Sequence, residues 1–167
     1  MICLQLFLHY PLHYKAPCDI IKSKFHKRLI MRTETFYALP KAAKQIRVTV
    51  FMQEQGFTEE FDALDGVATH LVLFDEQEPV ATCRIWLAED GYHVGRLAVM
   101  KEHRGKGLGA LMLAAAETHV RALGGGSISL HAQCRAEQFY RKCGYTPYGE
   151  MDYDEGVEHV HMRKIFD

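Results

Sequence analysis

The chain has 167 residues, of which 48% are hydrophobic and 25% charged, and its net charge is −1. That length suits one domain of ordinary size, and the composition excludes a chain that is mainly disordered, collagen-like or coiled-coil. No run approaches the roughly 20 apolar residues of a membrane-spanning helix, and a near-neutral charge argues against bulk electrostatic binding to nucleic acid.

Residues 1–30 differ from the rest. They carry Lys15, Lys22, Lys24, Lys27 and Arg28 against Asp19 alone, which leaves the remainder net acidic. The apolar stretch Ile2–Tyr10 lacks clean periodicity and is broken by Pro11 and Pro17. The basic residues follow it, the reverse of a secretory signal. Residues 1–30 therefore read as an upstream extension outside the fold, with the domain over 31–167. The cysteines (Cys3, Cys18, Cys83, Cys134 and Cys143) are odd in number and lack C-x-x-C spacing. Neither a disulfide framework nor a zinc ribbon is expected, and the reading is a reduced, cytoplasmic compartment.

From Met31 the pattern alternates. Thr33–Ala38 reads as a strand. Pro40 suits the first turn of a helix, and Ala42, Ala43, Ile46, Val50 and Phe51 follow at helical spacing. Gln53–Asp65 reads as a polar loop or short helix rich in acid. His70–Phe74 and Val80–Leu87 form a hairpin around Asp75–Pro79, and Tyr92–Met100 is the next strand. Leu108–Leu123, rich in Ala and Leu and stopped by Gly124, Gly125 and Gly126, is the strongest helix. Ile128–Ala132 is a strand, Glu137–Lys142 a short helix, and Val157–Ile165 is extended. The sum is an α/β (α+β) sheet with the long helix packed on one face.

Chemistry concentrates between Leu97 and Ala110. A strand runs into a basic turn, Arg104-Gly105-Lys106-Gly107-Leu108-Gly109, that opens the long helix. Glycines let backbone N–H groups converge, and the helix N-terminus adds about half a positive charge. Arg104 and Lys106 add full charges. This is a site for an anion such as phosphate; three alternating glycines exceed what a plain tight turn needs. A P-loop requires Ser or Thr after its lysine, and Lys106 is followed by Gly107. Gly105, Gly107 and Ala110 satisfy dinucleotide spacing, but no acid lies between Glu117 and Glu137, where that fold needs one to hold the ribose.

Arg104-x-x-Gly107-x-Gly109 after an L-x-V strand resembles the acyl-coenzyme A motif of the GNAT superfamily of N-acetyltransferases. Leu130-His131-Ala132-Gln133, Ala136, Phe139-Tyr140 and Cys143-Gly144-Tyr145 resemble the strand and short helix that follow it there. Arg47-x-x-Val50-Phe51-x-x-Glu54-Gln55-Gly56, Asp62-x-x-Asp65, Ala68-Thr69-His70 and Gly156-Val157-x-His159-Val160-x-Met162 narrow the resemblance to the ElaA-like group. It covers residues 33–165. It implies a bent, mixed, mostly antiparallel sheet flanked by helices, with a V-shaped opening between Tyr92–Met100 and Ile128–Ala132.

The resemblance further implies that the backbone of Leu97, Ala98 and Val99 pairs with the pantetheine arm of acetyl-CoA. N–H groups of Arg104, Gly105, Lys106, Gly107, Leu108, Gly109 and Ala110 would hold its pyrophosphate. Tyr140 matches the general acid beside the leaving sulfur, although an F-Y pair on a short helix also suits core packing. No acid precedes Val99 on its strand, where some relatives keep a general base. The reaction implied is acetyl transfer to a primary amine by direct attack. The acceptor is a small molecule or peptide, without nucleic acid or membrane, and a homodimer is compatible with it.

An attacking alkylammonium, with a pKa of about 10.4, must lose a proton, and a departing thiolate, with a pKa of about 8.5, gains from one. His70, His131 and His159 are the candidate bases, beside a water relay. Glu54 and the other acids up to Asp65 read either as a lure for a cationic acceptor or as a solvated loop. His159-x-His161 puts two imidazoles on one strand face, a possible metal pair, but without a third ligand assigned nearby no metal is expected. Cys134 and Cys143 have no base spaced to activate them, which disfavours an acyl-cysteine. Two other classes compete: a coenzyme A-binding module without turnover, and a dinucleotide-binding protein.

Overall fold

The computed structural model describes residues 31–154 and 156–167. The expectation for residues 1–30 lies outside the described residues. Strands β1 (Met31–Phe36), β2 (Thr69–Asp75), β3 (Glu78–Ala88) and β4 (Gly91–Val99) run antiparallel in sequential order. β5 (Ser127–Gln133) joins β4 in parallel, and β8 (Val157–Ile165) pairs antiparallel with β5 along its whole length. Two short strands, β6 (Thr146–Pro147) and β7 (Asp152–Asp154), both pair with β8.

Helix α1 (Lys41–Arg47) begins after Pro40, as expected, and then widens into a π-helical segment, Val48–Glu54. Such widenings often mark functional segments. The polar stretch expected from Gln53 thus starts inside a helix. Helix α2 (Leu108–Ala122) and helix α3 (Glu137–Lys142) lie close to their expected bounds. Pro79, which cannot donate to a ladder, sits at the register shift between β2 and β3, the position a strand proline tolerates.

The core has two halves. On one face of the sheet, Leu71, Leu73, Cys83, Ile128 and Met162 pack with Met112, Leu113 and Ala116 of α2. On the other, Val72 and Ala98 pack with Ala43, Ile46 and Val50 of α1 and its extension. Alternation along β2, buried on both faces, produces this split.

The feature that positions the site is the junction of β4 and β5. They pair only at Tyr92↔Ile128 and His93↔Ser129. Beyond His93 they part, and among the described residues the edge of β4 facing the gap has no strand partner there. A bulge contributes: the β3–β4 register shifts between Thr82↔Ala98 and Arg84↔Gly95, and Arg96 takes a left-handed φ of 51°. A bulge bends its strand and raises the local twist. A non-glycine residue at positive φ persists only where its surroundings enforce it. Here Arg96 is held by Glu60 (3.2 Å) and Asp62 (3.6 Å).

Those acids belong to a buried ionic cluster. Arg47, only 1% exposed, donates through Nε to Glu60 Oε1 (2.6 Å) and through Nη1 and Nη2 to the Asp65 carboxylate (2.5 and 3.0 Å). Arg84 donates to Asp62 (2.6 and 2.7 Å) and Asp65 (3.0 Å). Burial would raise the Asp65 pKa, but the Arg47 and Arg84 guanidiniums outweigh it and hold the carboxyl at about 2. For Glu60 burial outweighs the arginines, and its pKa is raised. Glu60, Asp62 and Asp65 are therefore the counter-charges of buried arginines. Glu60 and Asp65 are thereby buried and engaged, which removes those two from the solvated-loop reading, whereas Glu54, Glu59 and Asp62 stay exposed.

Candidate active site

The gap between β4 and β5 opens a cleft of about 690 Å3, within the ordinary range of small-molecule sites, about 300–1,000 Å3. Leu97, Ala98, Val99, Arg104, Gly105, Gly107, Leu108 and Gly109 line it; Lys106 and Ala110 are exposed and outside its lining. Gly105 and Gly107 take left-handed φ angles of 73° and 78°, conformations costly to any residue with a Cβ. Gly107 is the N-cap of α2 and supplies no side chain to cap it. The N–H groups of the first turn therefore have no side-chain cap among the described residues, the condition in which a helix start can accept an anion. Gly109 has a different reason to be small: a Cβ there would lie 3.1 Å from Phe139 Cζ. It lets α2 approach the α3 aromatics.

Arg104 does not act as a free cation. Its Nε donates to the Val99 carbonyl (2.9 Å) and its Nη2 to Glu54 Oε2 (2.7 Å). The guanidinium ties the loop to the end of β4 and to the α1 extension. Glu54, outside the cleft lining, is the partner of Arg104 and not a free group for an acceptor.

On the opposite wall, Tyr140, His131 and His159 line the same cleft. Tyr140 contacts Phe139 edge-on at 5.0 Å between centroids. Burial pushes its phenol up to about 12, so it is protonated at neutral pH. His159, 7% exposed, has Nδ1 2.8 Å from the Val157 carbonyl. A carbonyl only accepts, so Nδ1 donates and Nε2 of the neutral ring keeps the lone pair. His131 stacks on His161 (4.4 Å) and meets the His159 ring at a tilt of 37° (4.6 Å), and its Nε2 lies 2.5 Å from Asp152 Oδ1.

His70 is elsewhere. It is 1% exposed, its Nε2 donates to the Asp65 carbonyl (3.1 Å), and burial lowers its pKa. It supports the arginine cluster and lies outside the cleft lining, which removes it from the candidate bases. Cys134 and Cys143 also lie outside the lining. Partial burial, then the nearby Glu158 and Glu117 carboxylates respectively, push their thiols up, the wrong direction for a nucleophile.

Sequence reasoning missed Arg96 on the bulge and the bridge from Arg135 Nη2 to Gln55 Oε1 (3.0 Å), all three lining the cleft. Gln55 stood within the E-Q-G motif; nothing in the sequence linked it to Arg135, 80 residues on.

A mixed sheet opened between two parallel strands, with an uncapped helix at the gap, is the architecture of an acyltransferase. The acetyltransferase (GNAT) domain family matches residues 39–166. An uncharacterized N-acetyltransferase of Bacillus subtilis, YjcF, is 36% identical over 128 residues, covering 74% of this chain and 91% of that one. A second Bacillus subtilis protein, the uncharacterized YyaT, is 33% identical over 140 residues, covering 81% and 94%. The crystal structure of Escherichia coli ElaA superposes with a TM-score of 0.70 at 25% identity, over 81% of this chain and 99% of that one. The chain belongs to the GNAT acetyltransferase family. Among the described residues no helix is long and apolar enough to cross a membrane.

Proposed function

We propose that this enzyme transfers an acetyl group from acetyl-CoA to a primary amine by direct attack. The observation that carries the reading is the shared cleft. The unpartnered edge of β4, the uncapped start of α2, Tyr140 and His159 all border one space.

The residues present fit the donor. A pantetheine arm carries amides that pair with an open strand edge, here Leu97–Val99. A pyrophosphate needs converging N–H groups, here from Arg104 to Ala110. When bound, the donor supplies a thioester carbon open to attack. His159 Nε2 takes the ammonium proton, directly or through a water, so the amine attacks in its neutral form. Tyr140 faces the leaving sulfur. A phenol of pKa about 12 is a weak acid towards a thiolate of pKa about 8.5. Its contribution is a hydrogen bond that strengthens as charge grows on sulfur.

The test is coenzyme A release, followed as free thiol, with a panel of primary amines. Amine-dependent thiol release with one acetylated product per thiol supports the proposal. Tight coenzyme A binding with no release across the panel favours a binding module instead. Binding of NAD in preference to coenzyme A overturns the donor assignment.

A further inference from the structure

We propose that His131, Asp152 and His161 form a binding site for a divalent transition-metal ion of the zinc class. Their ligand atoms lie within 4.8 Å of one another. The two histidines come from opposed positions of β5 and β8, paired as His131↔His161 in the ladder. Directly opposed residues present their side chains on the same face, and the two rings stack with an interplanar angle of 15°. The third ligand comes from β7, where Asp152 pairs with His159. One Asp152 oxygen lies 2.5 Å from His131 Nε2 and the other 3.4 Å from His161 Nε2.

The donor chemistry suits this ion class. Two imidazole nitrogens and a carboxylate are ligands zinc accepts, with bonds of roughly 2.0–2.2 Å. Tetrahedral bonds of that length separate neighbouring ligand atoms by roughly 3.3 Å. The His161–Asp152 contact of 3.4 Å already matches. The His131–Asp152 contact is a hydrogen bond and must open by less than an ångström. Asp152 is exposed, on a three-residue strand, so little packing opposes that shift. A hydrogen bond to His131 alone would not require a second, stacked imidazole aimed at the same carboxylate.

The protein supplies three ligands, leaving a fourth position to water or to a group in the cleft, which His131 also lines. The ion must replace the Nε2 proton now shared with Asp152, so protons compete with metal. Neither ring's Nδ1 has a partner among the described residues, so the outer support that tightens many zinc sites is missing. The site therefore suits an exchangeable ion and not a permanently held one.

The experiment is calorimetric titration of zinc chloride into the chelator-treated full chain at pH 7.5, with cobalt chloride absorbance as a second readout of coordination. The expected result is one saturable equivalent, intense visible bands from the cobalt complex, and a melting temperature that rises with zinc. His161→Ala and Asp152→Asn should each weaken binding about 10–100-fold, the effect typical of disturbing a metal ligand's support or more. Both side chains are partly exposed, so their folds should persist, as circular dichroism will show. His93→Ala is the control. It removes an exposed His–Asp pair (2.7 Å to Asp90) outside the metal-ligand group, and should leave zinc affinity unchanged. The absence of saturable binding would reduce the cluster to a hydrogen-bonded one and overturn the proposal. So would equal binding by all variants, which would assign the ion to other groups such as His9, His13 or His26. None of these readouts depends on whether the chain acetylates an amine.

Discussion

The β4 wall of the cleft offers backbone, whereas the β5 wall offers side chains. On the β4 side the useful groups are peptide N–H and C=O: the strand edge past His93 and the first turn of α2 behind Gly107. In the proposed reaction they would meet what every acyl-coenzyme A shares, an amide-bearing arm and a pyrophosphate. On the β5 side Tyr140, His131 and His159 come from three separate elements and, in the same proposal, would supply the proton chemistry. A backbone site is set by local conformation and is broken by giving a glycine a side chain. A side-chain site is set by packing and is broken one functional group at a time.

The largest effect should come from the buried ionic cluster that holds the Arg96 bulge behind the β4 wall. Asp65→Asn leaves Arg47 and Arg84 without their shared counter-charge in a buried setting. It should cost about 3–5 kcal/mol of stability, as breaking a buried ion cluster does, read as a lower urea midpoint at pH 7. The pH dependence has a definite sign. The Asp65 pKa is depressed from 3.8 to about 2, so its contribution is present above pH 3.8 and is lost as pH falls towards 2. Glu60, with a raised pKa, opposes this: its share is present below its ordinary 4.5 and is lost as pH rises through its higher folded value. The variant should therefore show a flatter acid limb between pH 4 and 2 than the parent.

Gly107→Glu attacks the backbone wall. The new residue sits at a φ of 78°, a strain of about 1–2 kcal/mol, and points a carboxylate at the pyrophosphate site. Coenzyme A affinity should fall by about 100-fold or more by calorimetry. A Cβ there meets no atom within 4 Å, so the fold should survive. Retained affinity would show that the loop does not hold the pyrophosphate.

Tyr140→Phe attacks the side-chain wall and leaves the other intact. Turnover should drop about 10–10³-fold, with the acetyl-CoA dissociation constant within about threefold of the parent, because the phenol acts as charge develops on sulfur. The loss should shrink with a donor whose thiol is more acidic. Unchanged turnover where chemistry limits the rate would make Tyr140 a packing residue beside Phe139.

His159→Gln should be the mildest, about tenfold in kcat/KM for the amine, since water can relay the proton. Its signature is selectivity: kcat/KM for the amine should fall while the acetyl-CoA dissociation constant stays within about threefold. Unchanged kcat/KM would transfer the base role to His131 or to water.

Much of the fold was legible because its signals are local. The Ala- and Leu-rich run of α2, its glycine stop, the β2–β3 hairpin and the alternation of β8 each lie within a short window. Residues 104–109 were legible as a glycine-rich turn that opens a helix for the same reason. Within the acidic run, the burial of Glu60 and Asp65 was not legible, because their partners Arg47 and Arg84 lie apart from them in sequence and reach them only through packing. His70 was drawn into the site by its residue type, and burial beneath the arginines excluded it.

The sequence by itself determined the backbone half of this protein: the strand, the glycine turn and the helix that follow one another between Gly91 and Ala122. Those are short-range choices of φ and ψ, written in contiguous residues. Only the tertiary structure decided the rest. The Arg96 bulge is held by acids some 35 residues earlier in the chain, and Asp152 reaches His131 across 21 residues through a strand of three. Such groups meet because ladder register and charge pairing bring distant segments together, and neither leaves a periodic trace in sequence.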